Sequence, residues 1–187
     1  MSILVKGTIL TDLVKIVRKE RQLPWDKYLA PEDWDIINGE ILATMWYPGD
    51  FFYRLSYAVY KVVGQSDLNV CFAFGKIAVH NMIEIYKNII VPGEPAVSME
   101  RFITRRKSFF KGDYSSAETG QLKNGHGWLT FLYTNAEPSV KGGEVAGVIA
   151  HSVAGALTEL AGLTGGRNVS SNVAQKGEYF EINIKWD

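Results

Sequence analysis

The segment EYFEINIKWD, residues 178–187, alternates strictly between apolar and polar side chains. Phe180, Ile182, Ile184 and Trp186 point one way; Tyr179, Glu181, Asn183 and Lys185 point the other. A period of two is what a strand with one buried face requires. Working backwards, Lys176-Gly177 reads as a turn and Arg167–Ala174 as the partner strand of the same hairpin. Before it, Gly143–Leu163 carries Val145, Val148, Ile149, Ala156, Leu160 and Leu163 at helical spacing. That helix ends at Gly165-Gly166, glycine being the residue that takes a left-handed cap without steric cost. Further back, Tyr114–Lys123 and Trp128–Thr134 flank Asn124-Gly125, a dipeptide suited to the positive φ angles of a tight hairpin. The order predicts a four-stranded antiparallel sheet (β-β-α-β-β) backed by a helix.

The preceding part is helical in pattern. Ile9, Leu10, Leu13, Val14 and Val17 recur at helical spacing, with Lys15, Arg18 and Lys19 on the other side. Ala30-Pro31-Glu32-Asp33 reads as a helix entry, because proline lacks only an N–H that has no partner in a first turn. A helix over Asp50–Val63 presents Phe52, Leu55, Val59 and Val62 or Val63 as one stripe, and Tyr53, Tyr57 and Tyr60 as a second. Ser66-Asp67 caps the next helix, which runs to about Ile90 with Cys71, Phe74, Ala78, Met82, Ile85 and Ile89 inward. After Pro92-Gly93-Glu94-Pro95, Ser98 caps a basic helix holding Arg101, Arg105, Arg106, Lys107 and Lys111 beside Phe102, Phe109 and Phe110. The class is therefore α+β, read as one domain over 1–187: a mainly helical part, 1–112, and a sheet-plus-helix part, 113–187.

Composition bounds the function. A chain of 187 residues buries roughly 70% of its unfolded surface and needs no staples. Its single cysteine, Cys71, makes no intramolecular disulfide, which fits a reducing, cytoplasmic home. Met1–Lys15, interrupted by Lys6 and Asp12, reads as neither a secretory signal nor a membrane span. Twenty basic and twenty acidic residues cancel, which argues against nucleic-acid binding.

Few residues carry a recognisable chemistry. The three histidines lack metal-ligand spacing, so no metal site is expected, and no nucleophile elbow or phosphate-binding lysine loop is present. His80 lies with Lys76 and Glu84 at helical spacing, as a solvated ion-pair ladder does. Lys141-Gly142-Gly143 opens a helix, but the adjacent Glu144 opposes an anion there. Gly143, Gly147, His151 and Gly155 recur every four residues. Glycine inside a helix costs roughly 1 kcal/mol against alanine, so this ridge needs a reason. Either it lets backbones approach closely, or it leaves room for a ligand beside His151.

The pattern Gly147…Gly155…Leu160-Ala161-Gly162…Val169…Gly177…Phe180-Glu181-Ile182 resembles one superfamily. It contains haem-nitric-oxide-binding domains, 4-vinyl-reductase domains and the small subunits of the TRAPP tethering complex. Tyr47-Pro48…Phe51 and Phe74-Gly75 are similar to a myxobacterial paralogous branch of it. The resemblance implies a helical part followed by a four-stranded sheet backed by a helix, and a sensing or scaffold role, often as a dimer. In the haem-binding branch a histidine near the end of the helix before the sheet holds the iron. Laying Phe110-Lys111-Gly112 on that helix end puts Ile103 at this position. Tyr133 is followed by Asn135 and Glu137 where that branch has serine and arginine for the haem propionates. The expectation is thus of no cofactor, with haem disfavoured.

The reading that follows is a non-enzymatic, cytosolic regulatory domain. It holds a small apolar or amphipathic ligand between its helical part and its sheet, lined by Phe52, Leu55, Tyr57, Phe74, Ala78, Met82, Phe102, Gly147 and His151. Arg101, Arg105, Arg106 and Lys107 are the expected partner-binding residues. The alternative is a ligand-free dimeric scaffold resembling the TRAPP subunits; a haem or gas sensor using His80 or His151 comes third.

Overall fold

A computed structural model of the chain describes residues 3–112, 127–134, 142–177 and 179–187. Strand β1 (Leu4–Lys6) is followed directly by helix α1 (Gly7–Lys19). A methyl group on Gly7 would lie 2.2 Å from the carbonyl oxygen of Leu42, so only glycine fits beneath that loop. Leu10, Val14 and Val17 of α1 are buried, the face its spacing predicts. Arg18 Nε donates to the Ile37 carbonyl at 2.7 Å, tying α1 to the end of helix α2 (Asp33–Asn38).

Strand β2 (Trp46–Pro48) pairs antiparallel with β1 and leads into helix α3 (Gly49–Val62). Both expected stripes of α3 are buried as far as Tyr60, with Val62 and Val63 half-buried, because the helix runs through the middle of the helical part. Arg54 is its exception: Nε and Nη2 reach the two oxygens of Asp33 at 2.8 and 2.7 Å. Asp33 is fully buried and also accepts from the Ala30 amide at 2.8 Å. The helix entry expected at Ala30–Asp33 is present, and its acid anchors α3 as well.

Helix α4 (Leu68–Ile85) starts as expected, the Asp67 carboxylate accepting from Asn69 N at 2.8 Å. It stops at Ile85, short of the expected Ile90, and a 3-10 turn covers Lys87–Ile89. Its inward face is also rotated by about one residue: Cys71, Gly75 and Val79 are buried, whereas Ala78 is exposed and Ile85 is 65% exposed. Helix α5 (Pro95–Lys107) begins at proline, three residues before the expected cap. Ser98 is instead buried in its first turn, where Oγ accepts from Val91 N at 2.9 Å. Strand β3 (Phe110–Lys111) then pairs with β1, closing a three-stranded sheet in the order β2-β1-β3.

The second sheet contains β4 (Gly127–Thr134), β5 (Ser170–Lys176) and β6 (Tyr179–Trp186) in the order β4-β6-β5, antiparallel throughout. In place of one four-stranded sheet, the described residues form two three-stranded ones. The first arises because β1 to β3, of two or three residues each, recruit one another through backbone bonds that no side-chain alternation announces. The strand expected over Tyr114–Lys123 lies outside the described residues. The alternation in β6 is as predicted: Phe180, Ile182, Ile184 and Trp186 are all buried. Each contributes roughly 1.5–3 kcal/mol relative to exposure. Gly177 turns the hairpin at φ +62°.

Helix α6 (Gly142–Leu163) lies between this sheet and α3, α4 and α5. Glu144–Leu163 is long and apolar enough to cross a membrane by length and composition, yet 72% of its apolar window is buried inside the fold. It is the core helix on which both parts pack.

Candidate functional site

The junction between the helical part and the sheet is made on α6 from two sides. On one side α4 runs beside it, with Phe72 next to Gly155 and Gly75 next to Ser152. A methyl on Gly75 would lie 1.8 Å from the Ser152 carbonyl oxygen, and one on Gly155 1.9 Å from that of Phe72. Neither position tolerates a side chain, since the opposing atoms are backbone. A methyl on Gly147 would meet the Phe180 ring at 3.2 Å, on the sheet side of α6. The glycines at 75 and 155 therefore serve close backbone approach. His151 is half-buried on the same ridge as Gly147 and Gly155, with Nδ1 2.8 Å from the Gly147 carbonyl oxygen one turn back.

The exposed flank of this contact carries a charge clamp. Lys76 Nζ and His80 Nε2 of α4 lie 3.3 and 3.0 Å from the two oxygens of Glu159 on α6. The expected ladder along α4 is thus a bridge between helices. Burial raises the Glu159 carboxyl, but the hydrogen bonds from His80 and Lys76 outweigh it and hold the group below its ordinary range.

On the other side, α3 meets the first turn of α6. Tyr57 Oη donates to Glu144 Oε2 at 2.7 Å, while Lys61 Nζ pairs with Glu144 Oε1. The Lys61 ammonium sits 5.1 Å from the ring centroid of Tyr57 and 4.9 Å from that of Tyr60, within cation–π range. Tyr28 packs edge-on to Tyr57 at 5.8 Å. Tyr60 Oη donates to the Ser66 carbonyl at 3.0 Å. Burial, then the bond to Glu144, raises the Tyr57 phenol; the Glu144 bond, outweighing desolvation, raises the Lys61 ammonium. Sequence reasoning names only Tyr57 of these as a ligand-lining residue, with Tyr60 in the same stripe. The spacing of Tyr57, Tyr60 and Lys61, three and four residues apart, is the available signal, but Glu144 lies 87 positions away from Tyr57.

The other expected lining residues are divided among several places. Phe52 meets Phe110 edge-on at 5.8 Å, and Leu55 and Phe102 are buried. Phe74 and Met82 are half-buried, and Ala78 faces outward. Of the expected partner-binding residues, Arg106 is buried over the Phe110 ring at 4.9 Å. Arg105 lies on the Tyr86 ring at 4.5 Å, Arg101 donates to the Asn88 carbonyl at 2.8 Å, and Lys107 is exposed. Cys71 is buried, its thiol pushed up to about 11 by burial and the nearby Asp67. Among the described residues no three His, Cys, Asp or Glu side chains converge in a group able to hold a metal ion.

The architecture is that of the H-NOX, or haem-nitric-oxide-binding, domains. An H-NOX protein from K. algicida, solved in its Fe(II) unliganded form, superposes at TM-score 0.60 and 15% identity, with 97% of this chain and 96% of that one covered. A structure solved to probe heme distortion in the H-NOX family gives TM-score 0.61 at 13% identity, covering 97% and 95%. A point mutant of T. tengcongensis H-NOX gives 0.58 at 11%, covering 97% of each. Identities this low show a shared fold alone. No protein-family pattern and no curated protein matches the sequence.

This overturns the expectation of no cofactor: solved structures that share the fold include H-NOX proteins, and two are described by their heme. Haem iron takes an axial donor such as histidine, cysteine, methionine or tyrosine. The last six residues of α5, Phe102 to Lys107, contain none of these, and Ile103 is half-buried among them. His80 is engaged by Glu159 on the outer flank of α4, and His126 lies outside the described residues. The donor set of α5 does not fit histidine-ligated iron.

Proposed function

We propose that this chain is a non-enzymatic sensor domain that holds a tetrapyrrole-class molecule, haem being the first candidate, and relays its presence to a partner. The observation that carries this reading is the H-NOX fold over 97% of the chain. The α3–α6 seam supports it, because it joins aromatic walls, a cation and a hydroxyl at the boundary of the two parts. The single buried cysteine agrees with a reducing, cytoplasmic setting. The motif Tyr47-Pro48…Phe51 supports kinship with the myxobacterial branch, with 4-vinyl-reductase domains and TRAPP subunits further off. Haemin titrated into the purified protein should give a saturable Soret change at one equivalent. A spectrum that remains the sum of free haemin and protein counts against the reading.

A second reading has its own observation. Ile77 and Ile85 on α4 are 60% and 65% exposed, and Leu163 at the end of α6 is 47% exposed. Isolated exposed aliphatics are ordinary, but two on one helix favour a homodimer or partner contact there. Light scattering of the wild type and of Ile77→Glu tests it: a monomer in both removes the dimeric scaffold.

A further inference from the structure

We propose that Tyr57, Tyr60 and Lys61 form a carboxylate-binding site on α3. Glu144 fills it in this structure, and the carboxylate of an apolar ligand displaces Glu144 from it. The inference deepens the small-molecule reading above and rests on it for the ligand's class.

The receptor is assembled without Glu144. The Lys61 ammonium is placed by the Tyr57 and Tyr60 rings of its own helix, at 5.1 and 4.9 Å. Those rings are fixed in turn: Tyr57 by Tyr28 edge-on at 5.8 Å, and Tyr60 by its bond to the Ser66 carbonyl at 3.0 Å. Withdrawal of Glu144 leaves the cation where it is.

The donors also match a carboxylate. Tyr57 Oη and Lys61 Nζ address different oxygens of Glu144, Oε2 and Oε1. Two donors spread across the two oxygens of one group recognise a carboxylate and leave an alcohol or an ester half-satisfied.

Exposure determines which partner exchanges. The Lys61 side chain is 18% exposed, whereas that of Glu144 is 40% exposed. Glu144 already stands partly in water where Tyr57 and Lys61 hold it. Lys61, whose stem packs among the Tyr57 and Tyr60 rings, keeps its place on α3 and takes up another anion when Glu144 leaves. The exposed acid is the exchangeable partner.

Protoporphyrin IX, which carries two carboxylates and no metal, tests the site by fluorescence titration, with its dimethyl ester as control. Glu144→Ala should bind the acid about tenfold more tightly than wild type, and Lys61→Met about tenfold more weakly, as loss of one charge-assisted pair implies. The ester should show neither change, and Lys61→Arg should bind like wild type. If Lys61→Met does not fold, Tyr57→Phe, which deletes one donor, reads the same loss. Equal affinity of the acid for all variants overturns the site and leaves the sensor reading standing. If porphyrin binds none of them, the haemin titration decides the sensor reading, and dodecanoate against dodecanol, by calorimetry, decides the site. A carboxylate preference raised in Glu144→Ala and lost in Lys61→Met upholds it; no preference overturns it.

Discussion

Gly75 of α4 lies against the carbonyl of Ser152 on α6 so closely that a methyl group there would stand 1.8 Å from the oxygen. Gly155 stands in the same relation to Phe72, at 1.9 Å, so the two helices touch through backbone at two points. Glycine is disfavoured in both helices, and only the contact compensates for it.

Gly75→Ala and Gly155→Ala should therefore each destabilise the protein. Alanine adds roughly 1 kcal/mol of helix propensity, but separating two packed backbones costs more, so a net loss of about 1–3 kcal/mol is expected. Urea unfolding measures it, and an unchanged midpoint in both variants shows that the helices do not meet as described.

Gly162, near the end of α6, is the converse case. A methyl there meets nothing within 4 Å. Gly162→Ala should stabilise by up to about 1 kcal/mol, seen as a higher urea midpoint at unchanged slope. A loss of stability instead reveals something packed over that position.

How far the sequence can be read follows from the range of the forces involved. The β6 alternation, the α1 face, the Asp67 cap and the Gly177 turn depend on near neighbours, and each is found where the residue pattern places it. The α4 face differs from its pattern by one position because a tertiary event, the approach of α6 at Gly75, sets the rotation of the helix. Spacing alone would bury Phe74 and Ala78. Strands of two or three residues carry no period, which hides the first sheet. The site is the least legible. Tyr57 stands out as one aromatic of a stripe, but its pairing with Glu144 appears only once α3 and α6 are brought together. Ile103 indicates the absent iron ligand on α5, but extending that to no cofactor is overturned by the fold.

The clamp on Glu159 gives a pH dependence of defined sign. Its folded carboxyl lies below the ordinary value because His80 and Lys76 outweigh burial. A depressed carboxyl contributes stability that is fully present above the unfolded value, about 4.3, and is lost as pH falls through the folded one. With Glu159 28% exposed, the contribution is under about 1 kcal/mol. Glu159→Gln should lower stability at pH 7 by that amount and narrow its gap to wild type at about pH 3. A constant gap across the range assigns the effect to something other than the charge.

Asp33 and Arg54 form the most enclosed ion pair among the described residues, the carboxylate side chain being 1% exposed and the guanidinium side chain 24%. The acid holds both Arg54 nitrogens and the Ala30 amide, so it joins the start of α2 to the middle of α3. Removing one member of such a pair leaves the other charge largely out of water, at about 3–5 kcal/mol, far above the worth of a surface bridge. Asp33→Leu should therefore rank among the most damaging single changes in the helical part. Arg54→Met, which replaces the cation by an apolar side chain, still leaves Asp33 buried and should also be severe. The double variant Asp33→Leu with Arg54→Met removes both charges and should recover much of the loss. Thermal unfolding of the three variants measures this. If the double variant equals the sum of two independent losses, the pair is not coupled and α3 is anchored by packing alone.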